Sequence, residues 1–114
     1  MEIIKGTVIH GQKKGAGLGF PTANIEIDLN LGIKQGIYAG YSIINNIRHK
    51  SAVYSAGGNI IEAFIMDFDG DLYGETISVE IIKKIRDRKN FNSDEEAKEQ
   101  ILKDILEIKK CLQE

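Results

Sequence analysis

The residues best suited to chemistry follow the only proline of the chain, in the segment Pro21-Thr22-Ala23-Asn24. Proline fixes the backbone at the entry to an extended segment. Thr22 and Asn24 are two positions apart, so in a strand their side chains share one face. A hydroxyl and an amide oxygen placed together can hold Mg²⁺, which takes oxygen ligands and completes its shell with water and substrate phosphates. Two ordinary polar strand residues would show the same spacing, so both interpretations stay open.

A glycine-rich segment precedes this pair and can bring backbone N–H groups close to a ligand. Glycine allows the close approach and the inward N–H orientation that phosphate-binding loops use. Lys13 and Lys14 add positive charge, but no Gly-Lys-Ser/Thr ending identifies a Walker A loop. A phosphate-binding loop and a mobile glycine hairpin are therefore both compatible with the segment. Its glycines are Gly11, Gly15, Gly17 and Gly19.

Glu62 lies inside the apolar run NIIEAFIMDF, where a carboxylate is costly unless it is exposed, paired or functional. On a strand that faces a cleft it can take a proton from a substrate hydroxyl. The alternative is that alternation simply places Glu62 on the solvent face of a strand.

The basic segment KKIRDRKNF can present Arg86 and Phe91 to a planar ligand, because guanidinium and aromatic groups both stack. It can equally be a solvated connection. His10 and His49 show no metal-ligand spacing, and we expect Cys111 to be an inert packing residue. The aspartates of DFDGDLYG lack the EF-hand spacing, so a tight hairpin is the better prediction.

Composition limits the function classes. The chain has 114 residues, a net charge of −2 and one cysteine, which predicts a single domain over residues 1–114. Without a basic field, nucleic acid is not an expected partner. The lone cysteine fits a reducing compartment, and no apolar run resembles a membrane helix or signal peptide. We therefore expect a cytoplasmic protein with no membrane partner.

The elements that must position these groups are mainly strands. Alternating and β-branched runs predict six of them, with Gly6 as a bend or bulge in the first. Asn45-Asn46 predicts a hairpin turn, and Asp69-Gly70 is the strongest hairpin signal in the chain. The six runs are IIKGTVIHG, ANIEIDL, IYAGYSIIN, RHKSAVYSA, IIEAFIMDF and ETISVEIIKKI.

The pattern changes to a helix after Phe91. Ser93 is a good N-cap and Glu96 completes the spacing of a capping box. Apolar residues then recur at spacings of three and four. This helical stripe consists of Ala97, Ile101, Ile105, Ile108 and Leu112.

This order of elements predicts a mainly β fold without βαβ units. Regularly spaced strands are typical of a β sandwich or barrel, and a small Greek-key barrel with the helix over one opening fits the length. We expect the barrel over about residues 1–90 and the helix over about residues 93–112.

Taken together, several segments resemble riboflavin kinase of the bacterial and eukaryotic type, the flavokinase domain found in bifunctional FAD synthetase. The resemblance implies a six-stranded antiparallel Greek-key barrel with one C-terminal helix. It also implies transfer of the ATP γ-phosphoryl group to the ribityl 5′-hydroxyl of riboflavin, which gives FMN and ADP with the help of Mg²⁺. The matching segments are GTVIHG, LGFPTANI, GIYAG, IEAFIMDFDGDLYG and IRDRKNFNSDEEAKEQILKDI.

The resemblance also implies roles for individual residues. Thr22 and Asn24 match the positions that hold Mg²⁺ and nucleotide phosphate, and Glu62 matches the proposed catalytic base. Nucleotide-binding positions of the family correspond to Gly11, Thr22, Asn24 and Tyr73. We expect Gly15 of the glycine-rich segment to contact the nucleotide as well. The flap that covers the flavin corresponds to Arg86, Lys89 and Phe91. A monomer is the expected state.

Two departures from the family pattern motivate an alternative. Ala16 stands where relatives usually carry Arg or Lys, and the connection before Glu62 is shorter and lacks the usual Asn and Pro. The alternative is a non-catalytic flavin- or nucleotide-binding module with the same fold.

Overall fold

The computed structural model describes residues 2–10, 20–28, 30 and 32–113. Its six strands are β1 (Glu2–Ile9), β2 (Ala23–Glu26), β3 (Gly36–Ile44), β4 (Ile47–Ser55), β5 (Ile60–Ile65) and β6 (Thr76–Arg86). One helix, α1 (Asp94–Cys111), follows them. Each predicted strand is present, although β2 is shorter than the run that predicted it.

The six strands close into an antiparallel barrel in the order β1-β2-β5-β4-β3-β6, with β6 also paired to β1. Strands β3, β4 and β5 follow one another, and β6 returns to lie beside β3, which is the Greek-key arrangement. The predicted fold class is confirmed.

Alternate residues of the strands fill the barrel interior. Successive side chains of a strand point to opposite faces, so Val53 faces inward while Ala52 and Tyr54 face outward. The interior is packed mainly with branched aliphatic side chains, as the scarcity of aromatic residues requires. Its fully buried members include Ile25, Val53, Ile61, Ala63 and Val79.

The helix packs on the outer face of the barrel. Ile108 and Leu112 are buried against Ala39, Tyr41 and Ala52, which all point away from the interior. The expectation that the helix covers one opening is therefore wrong: its apolar stripe matches the apolar outer face of β3 and β4. The predicted N-cap is confirmed, because the Ser93 side chain accepts a hydrogen bond from the Glu96 backbone N–H.

The two predicted hairpin turns have different outcomes. Asn45 and Asn46 both have positive φ, 51° and 67°, as a type I′ turn between β3 and β4 requires. Asp69-Gly70 does not form a hairpin, because β5 and β6 are not neighbours in the barrel. Residues 66–75 instead form a crossing segment that connects β5 to β6 and hydrogen-bonds to β1, where the Gly74 N–H donates to the Val8 carbonyl. The prediction failed because pairing depends on partners distant in sequence.

Gly6 is a point of close approach rather than a bulge. The register between β1 and β6 runs without a shift past Gly6. A Cβ at this position would meet the Ile25 side chain and lie 2.7 Å from the Glu26 carbonyl oxygen. The absence of a side chain therefore lets β1 pack directly against β2, the strand that carries Asn24.

Candidate functional site

A row of five side chains crosses five strands on the outer face of the barrel. Asn24 on β2 pairs with Glu62 on β5, and Glu62 pairs with Tyr54 on β4. Tyr54 pairs with Ile37 on β3, which pairs with Arg86 on β6. Neighbouring strands are about 4.8 Å apart, so this transverse row spans four such spacings. Sequence spacing alone does not reveal it.

An irregularity in β6 brings Arg86 into the transverse row. The register shifts between Ile37 and Tyr38, since Tyr38 pairs with Lys84 while Ile37 pairs with Arg86. One extra residue of β6, Ile85, is thereby accommodated. Bulges of this kind re-aim side chains and are common beside functional sites.

Thr22 and Glu62 are in direct contact. The Thr22 hydroxyl donates a hydrogen bond of 2.9 Å to Glu62 Oε1. Thr22 lies immediately before β2, and Asn24 is the strand partner of Glu62, so the three polar groups meet on one face. The expectation that Thr22 and Asn24 share a face agrees with this geometry, which also brings Glu62 to them.

A cavity of about 430 Å³ lies above the transverse row, and we call it the Glu62 cavity. All five members of the row line it, and the segment after β6 and the first turns of α1 complete its wall. Its lining combines the polar Thr22–Glu62 corner with the basic side chains of Arg86, Arg88 and Lys89 and with an aromatic and aliphatic remainder. That remainder includes Phe20, Ile60, Phe64, Phe91, Ala97 and Ile101.

A second cavity of about 440 Å³, the Tyr73 cavity, adjoins the first. It lies between β1, the start of β2, the end of β5 and the crossing segment. Tyr73 is about half exposed and stacks on His10, with ring centroids 3.7 Å apart and an interplanar angle of 16°. This pair presents an aromatic surface suited to a planar heterocycle.

The two cavities share a wall formed by Thr22, Asn24 and Phe64. Molecules bound in the two cavities would therefore approach each other at Thr22 and Asn24, beside the Glu62 carboxylate. An arrangement of this kind suits transfer of a group from one bound molecule to another, because proximity and orientation lower the barrier.

A buried ion pair fixes Arg86. Arg86 Nε and Nη2 donate hydrogen bonds of 2.8 Å each to the two carboxylate oxygens of Asp104, whose residue is 1% exposed. The Gln100 amide also donates to Asp104. Two parallel bonds between guanidinium and carboxylate hold both groups in a fixed orientation. The end of β6 is thus fastened to α1 at the edge of the Glu62 cavity.

The other predicted flavin-side residues lie in the same cavity wall. Lys89 and Phe91 line the Glu62 cavity with Arg86. Lys89 Nζ donates to Gln100 Oε1 at 3.3 Å and lies 5.9 Å from the centroid of the Phe91 ring. The segment after β6 is therefore connected to α1 through Gln100.

The structure brings the described nucleotide-side residues together around one cavity. Tyr73 lines the Tyr73 cavity, and Thr22 and Asn24 line both cavities. Gly11 and Gly15 lie outside the described residues, as does Ala16.

Sequence reasoning missed Tyr54 and Asp104. Asp104 lies between Ile101 and Ile108 at spacings of three and four, so a carboxylate on the apolar stripe was the available signal. Burial raises the pKa of Tyr54 well above its ordinary value, with a further contribution from the negative charge of Asp104. Tyr54 gave no sequence signal, because its position opposite Glu62 depends on strand register.

Oxygen ligands for a cation are present in the shared wall. Since the Thr22 hydroxyl is the donor in its hydrogen bond to Glu62, the lone pairs of its oxygen remain available for a cation. Asn24 contributes an amide oxygen. This donor set fits Mg²⁺ completed by water and phosphate oxygens. Within the described part of the chain, His, Cys, Asp and Glu side chains form no group of three or more suited to a metal.

The fold and site define a small β-barrel domain with two adjoining small-molecule cavities. Comparison with known proteins gives the family. The family model for flavokinase, described as riboflavin kinase, matches residues 2–112. The chain therefore belongs to the flavokinase family, as its motifs predict.

Individual relatives agree with this assignment. The chain is 40% identical to the RNA-binding riboflavin kinase RibR of Bacillus subtilis (strain 168), with 92% of this chain and 49% of the relative covered. It is 40% identical to a bifunctional riboflavin kinase/FMN adenylyltransferase of Buchnera aphidicola subsp. Acyrthosiphon pisum (strain APS), with 94% and 37% covered. The chain thus spans about half or less of these curated relatives.

A solved structure shares the fold. Riboflavin kinase from Trypanosoma brucei superimposes with a TM-score of 0.76 at 22% sequence identity, covering 98% of this chain and 80% of that chain. Among the described residues, α1 is too polar to be a membrane-spanning helix.

Proposed function

We propose that this chain is an ATP-dependent riboflavin kinase that phosphorylates the ribityl 5′-hydroxyl of riboflavin and yields FMN. The observation that carries the proposal is the Thr22–Glu62 hydrogen bond at the wall where the two cavities adjoin. Membership of the flavokinase family supports the same reaction.

In this proposal the two cavities hold the two substrates. ATP occupies the Tyr73 cavity, with its base near the stacked His10–Tyr73 pair and its phosphates toward Thr22 and Asn24. Riboflavin occupies the Glu62 cavity, with its ring among the aromatic and aliphatic side chains and its chain toward Glu62. Gly11, which the family resemblance assigns to the nucleotide, and Gly15 of the glycine-rich segment are proposed to contact its phosphates.

Glu62 is the proposed general base. Its carboxylate accepts the proton of the 5′-hydroxyl while the oxygen forms a bond to the γ-phosphorus and the bond to the β-phosphate oxygen breaks, releasing ADP. Thr22 holds Oε1 by a hydrogen bond, which limits rotation of the carboxylate and directs it toward the shared wall. Positioning of this kind supplies most of the catalysis in phosphoryl transfer.

Thr22 and Asn24 are also the residues that would hold Mg²⁺. When bound, this ion neutralises charge on the phosphate oxygens. The Arg86–Asp104 pair, Lys89 and Phe91 keep the outer wall of the flavin cavity in place and exclude water from the acceptor.

Further expectations accompany this proposal. We propose that residues 1–114 form one kinase domain that is monomeric and located in the cytoplasm, where its single cysteine would remain reduced. We expect binding of neither nucleic acid nor membranes.

The proposal is tested by incubating purified protein with riboflavin, ATP and Mg²⁺ and separating the flavins by chromatography. We expect FMN to accumulate with time and to depend on both ATP and Mg²⁺. Riboflavin binding without any FMN would refute the kinase proposal and favour the non-catalytic binding module, which the Ala16 substitution and the short connection over residues 56–59 motivate.

A further inference from the structure

Tyr54 occupies the centre of the transverse row. It is the strand partner of Glu62 on one side and of Ile37 on the other, and Ile37 in turn pairs with Arg86. Its Cα is therefore about 4.8 Å, one strand spacing, beyond that of Glu62 and on the side away from Asn24. The Glu62 cavity continues along this row, so an acceptor whose hydroxyl reaches Glu62 and whose remaining atoms follow the row lies against Tyr54.

The surroundings of Tyr54 hold its ring in place. Tyr54 is half-buried and packs against the outer cluster that includes Met66 and Ile108, so one part of its ring is supported by the helix side of the molecule. It also lines the Glu62 cavity, so another part faces the space that an acceptor would fill. A supported aromatic ring of this kind provides a large contact area at low entropic cost.

Burial of the phenol favours its neutral, protonated form. Burial is the largest cause of its raised pKa, Asp104 and Glu62 add to the rise, and the Arg86 guanidinium opposes it. The phenol hydroxyl is thus neutral over the whole physiological range and adds no charge beneath an acceptor. A neutral aromatic surface suits a planar, uncharged ring system.

We propose that Tyr54 is an acceptor-binding residue. Its ring contacts the planar ring system of the acceptor while the acceptor's hydroxyl donates a hydrogen bond to Glu62. This inference rests on the proposed function, and it adds a contact that selects acceptors with a planar ring joined to a short hydroxylated chain. Tyr54 would therefore contribute to acceptor affinity and little to nucleotide affinity.

The composition of the chain makes this contact measurable by fluorescence. There is no Trp, and only four Tyr, in the chain. Among the described residues Tyr54 is the only tyrosine that lines the Glu62 cavity. A phenol in contact with a flavin quenches its fluorescence by electron transfer, whereas a phenylalanine ring does not. Quenching of bound riboflavin that is lost in Tyr54→Phe therefore reports on this side chain.

The experiment compares the wild type with Tyr54→Phe, Tyr54→Leu and the control Tyr41→Phe, with the binding and fluorescence measurements made in the absence of nucleotide. Tyr41 is buried in the outer cluster but does not line the cavity. Affinities for riboflavin and for lumiflavin, which has the ring without the ribityl chain, are measured by calorimetry. The fluorescence of the bound flavin and FMN formation are measured on the same preparations.

We expect Tyr54→Phe to keep riboflavin affinity within about threefold while the fluorescence of the bound flavin rises at least about threefold. Tyr54→Leu should weaken riboflavin and lumiflavin by a similar factor of about tenfold, and leave KM for ATP within about twofold. Tyr41→Phe should change neither affinity nor fluorescence. If Tyr54→Leu fails to fold, Tyr54→Phe decides the question through fluorescence alone.

Unchanged quenching in Tyr54→Phe, or unchanged lumiflavin affinity in Tyr54→Leu, would overturn the inference even if the wild type forms FMN. A flavin contact that passes both tests without FMN formation would refute the kinase proposal and leave the contact standing. Failure of the wild type to bind riboflavin would overturn both.

Discussion

The hydroxyl of Thr22 donates a hydrogen bond of 2.9 Å to Glu62 Oε1, joining residues 40 positions apart in the chain. The bond connects the residue that precedes β2 to the middle of β5, at the wall that both cavities share. This hydrogen bond orients the Glu62 carboxylate and leaves the oxygen lone pairs of Thr22 directed toward other partners. One residue thereby positions the proposed base and offers a cation ligand.

Replacing Thr22 with Val removes this hydroxyl with little change in shape. We expect kcat to fall about 10- to 100-fold, since a hydrogen bond to a charged group contributes about 1.5–3 kcal/mol. The Mg²⁺ concentration for half-maximal rate should rise as well. Steady-state kinetics over a Mg²⁺ titration measures both effects.

Thr22→Ser retains the hydroxyl and should recover most of the activity, whereas Thr7→Val, at an exposed threonine of β1, should have no effect. Equal rates for Thr22→Val and wild type would show that the Thr22–Glu62 bond has no role in turnover.

If each substrate occupies its own cavity, substitutions in the two cavities should change different KM values. Tyr73→Ala removes half of the His10–Tyr73 stack and should raise KM for ATP about tenfold with little change in KM for riboflavin. Phe91→Ala removes part of the wall of the Glu62 cavity and should do the reverse. Both constants are obtained from FMN formation with each substrate varied in turn. Parallel changes in both constants for either variant would contradict the assignment of one substrate to each cavity.

Removing one charge of the buried Arg86–Asp104 ion pair is expected to destabilise the fold strongly. Asp104→Asn leaves the Arg86 guanidinium without its charged partner, and we expect the free energy of unfolding to fall by about 2–4 kcal/mol. This expected loss is smaller than for a fully buried ion pair because the Arg86 side chain is 18% exposed. Urea denaturation measures the change, and Glu107→Gln on the exposed face of α1 is the matched control. A loss for Asp104→Asn no larger than that of the control would contradict a stabilising role.

The close approach of β1 to β2 makes Gly6 sensitive to any side chain. Gly6→Ala places a Cβ against the Ile25 side chain and 2.7 Å from the Glu26 carbonyl oxygen, so β2 must shift. We expect a loss of about 1–3 kcal/mol in the free energy of unfolding and a lower kcat, because β2 carries Asn24. Gly58→Ala meets nothing within 4 Å and should stay within about 0.5 kcal/mol of the wild type. Equal stability of the two variants would show that β1 and β2 have room to separate.

Local signals predicted most of the fold. Alternation located the six strands, the Asn45-Asn46 pair gave its turn, and Ser93 gave the start of α1, because each depends on neighbours within a few residues. The Asp69-Gly70 prediction failed because the Greek-key order separates β5 from β6, and a dipeptide contains no information on distant strand pairing.

The candidate site was only partly predictable. The resemblance supplied Thr22, Asn24 and Glu62, but the contact between Thr22 and Glu62 depends on the pairing of β2 with β5. Tyr54 and Arg86 enter the same row through the pairing of β4 with β5 and the bulge in β6. Such positions follow from register, and a single sequence does not determine register across a closed barrel.

The most direct test of the account is the kcat of Glu62→Gln for FMN formation, measured together with its riboflavin affinity. Glutamine has nearly the shape of glutamate and still accepts a hydrogen bond from Thr22, but its amide is a far weaker base than a carboxylate. We predict that kcat falls at least about 100-fold while riboflavin affinity stays within about threefold. A kcat within about threefold of the wild type would contradict the claim that Glu62 accepts the proton at the shared wall.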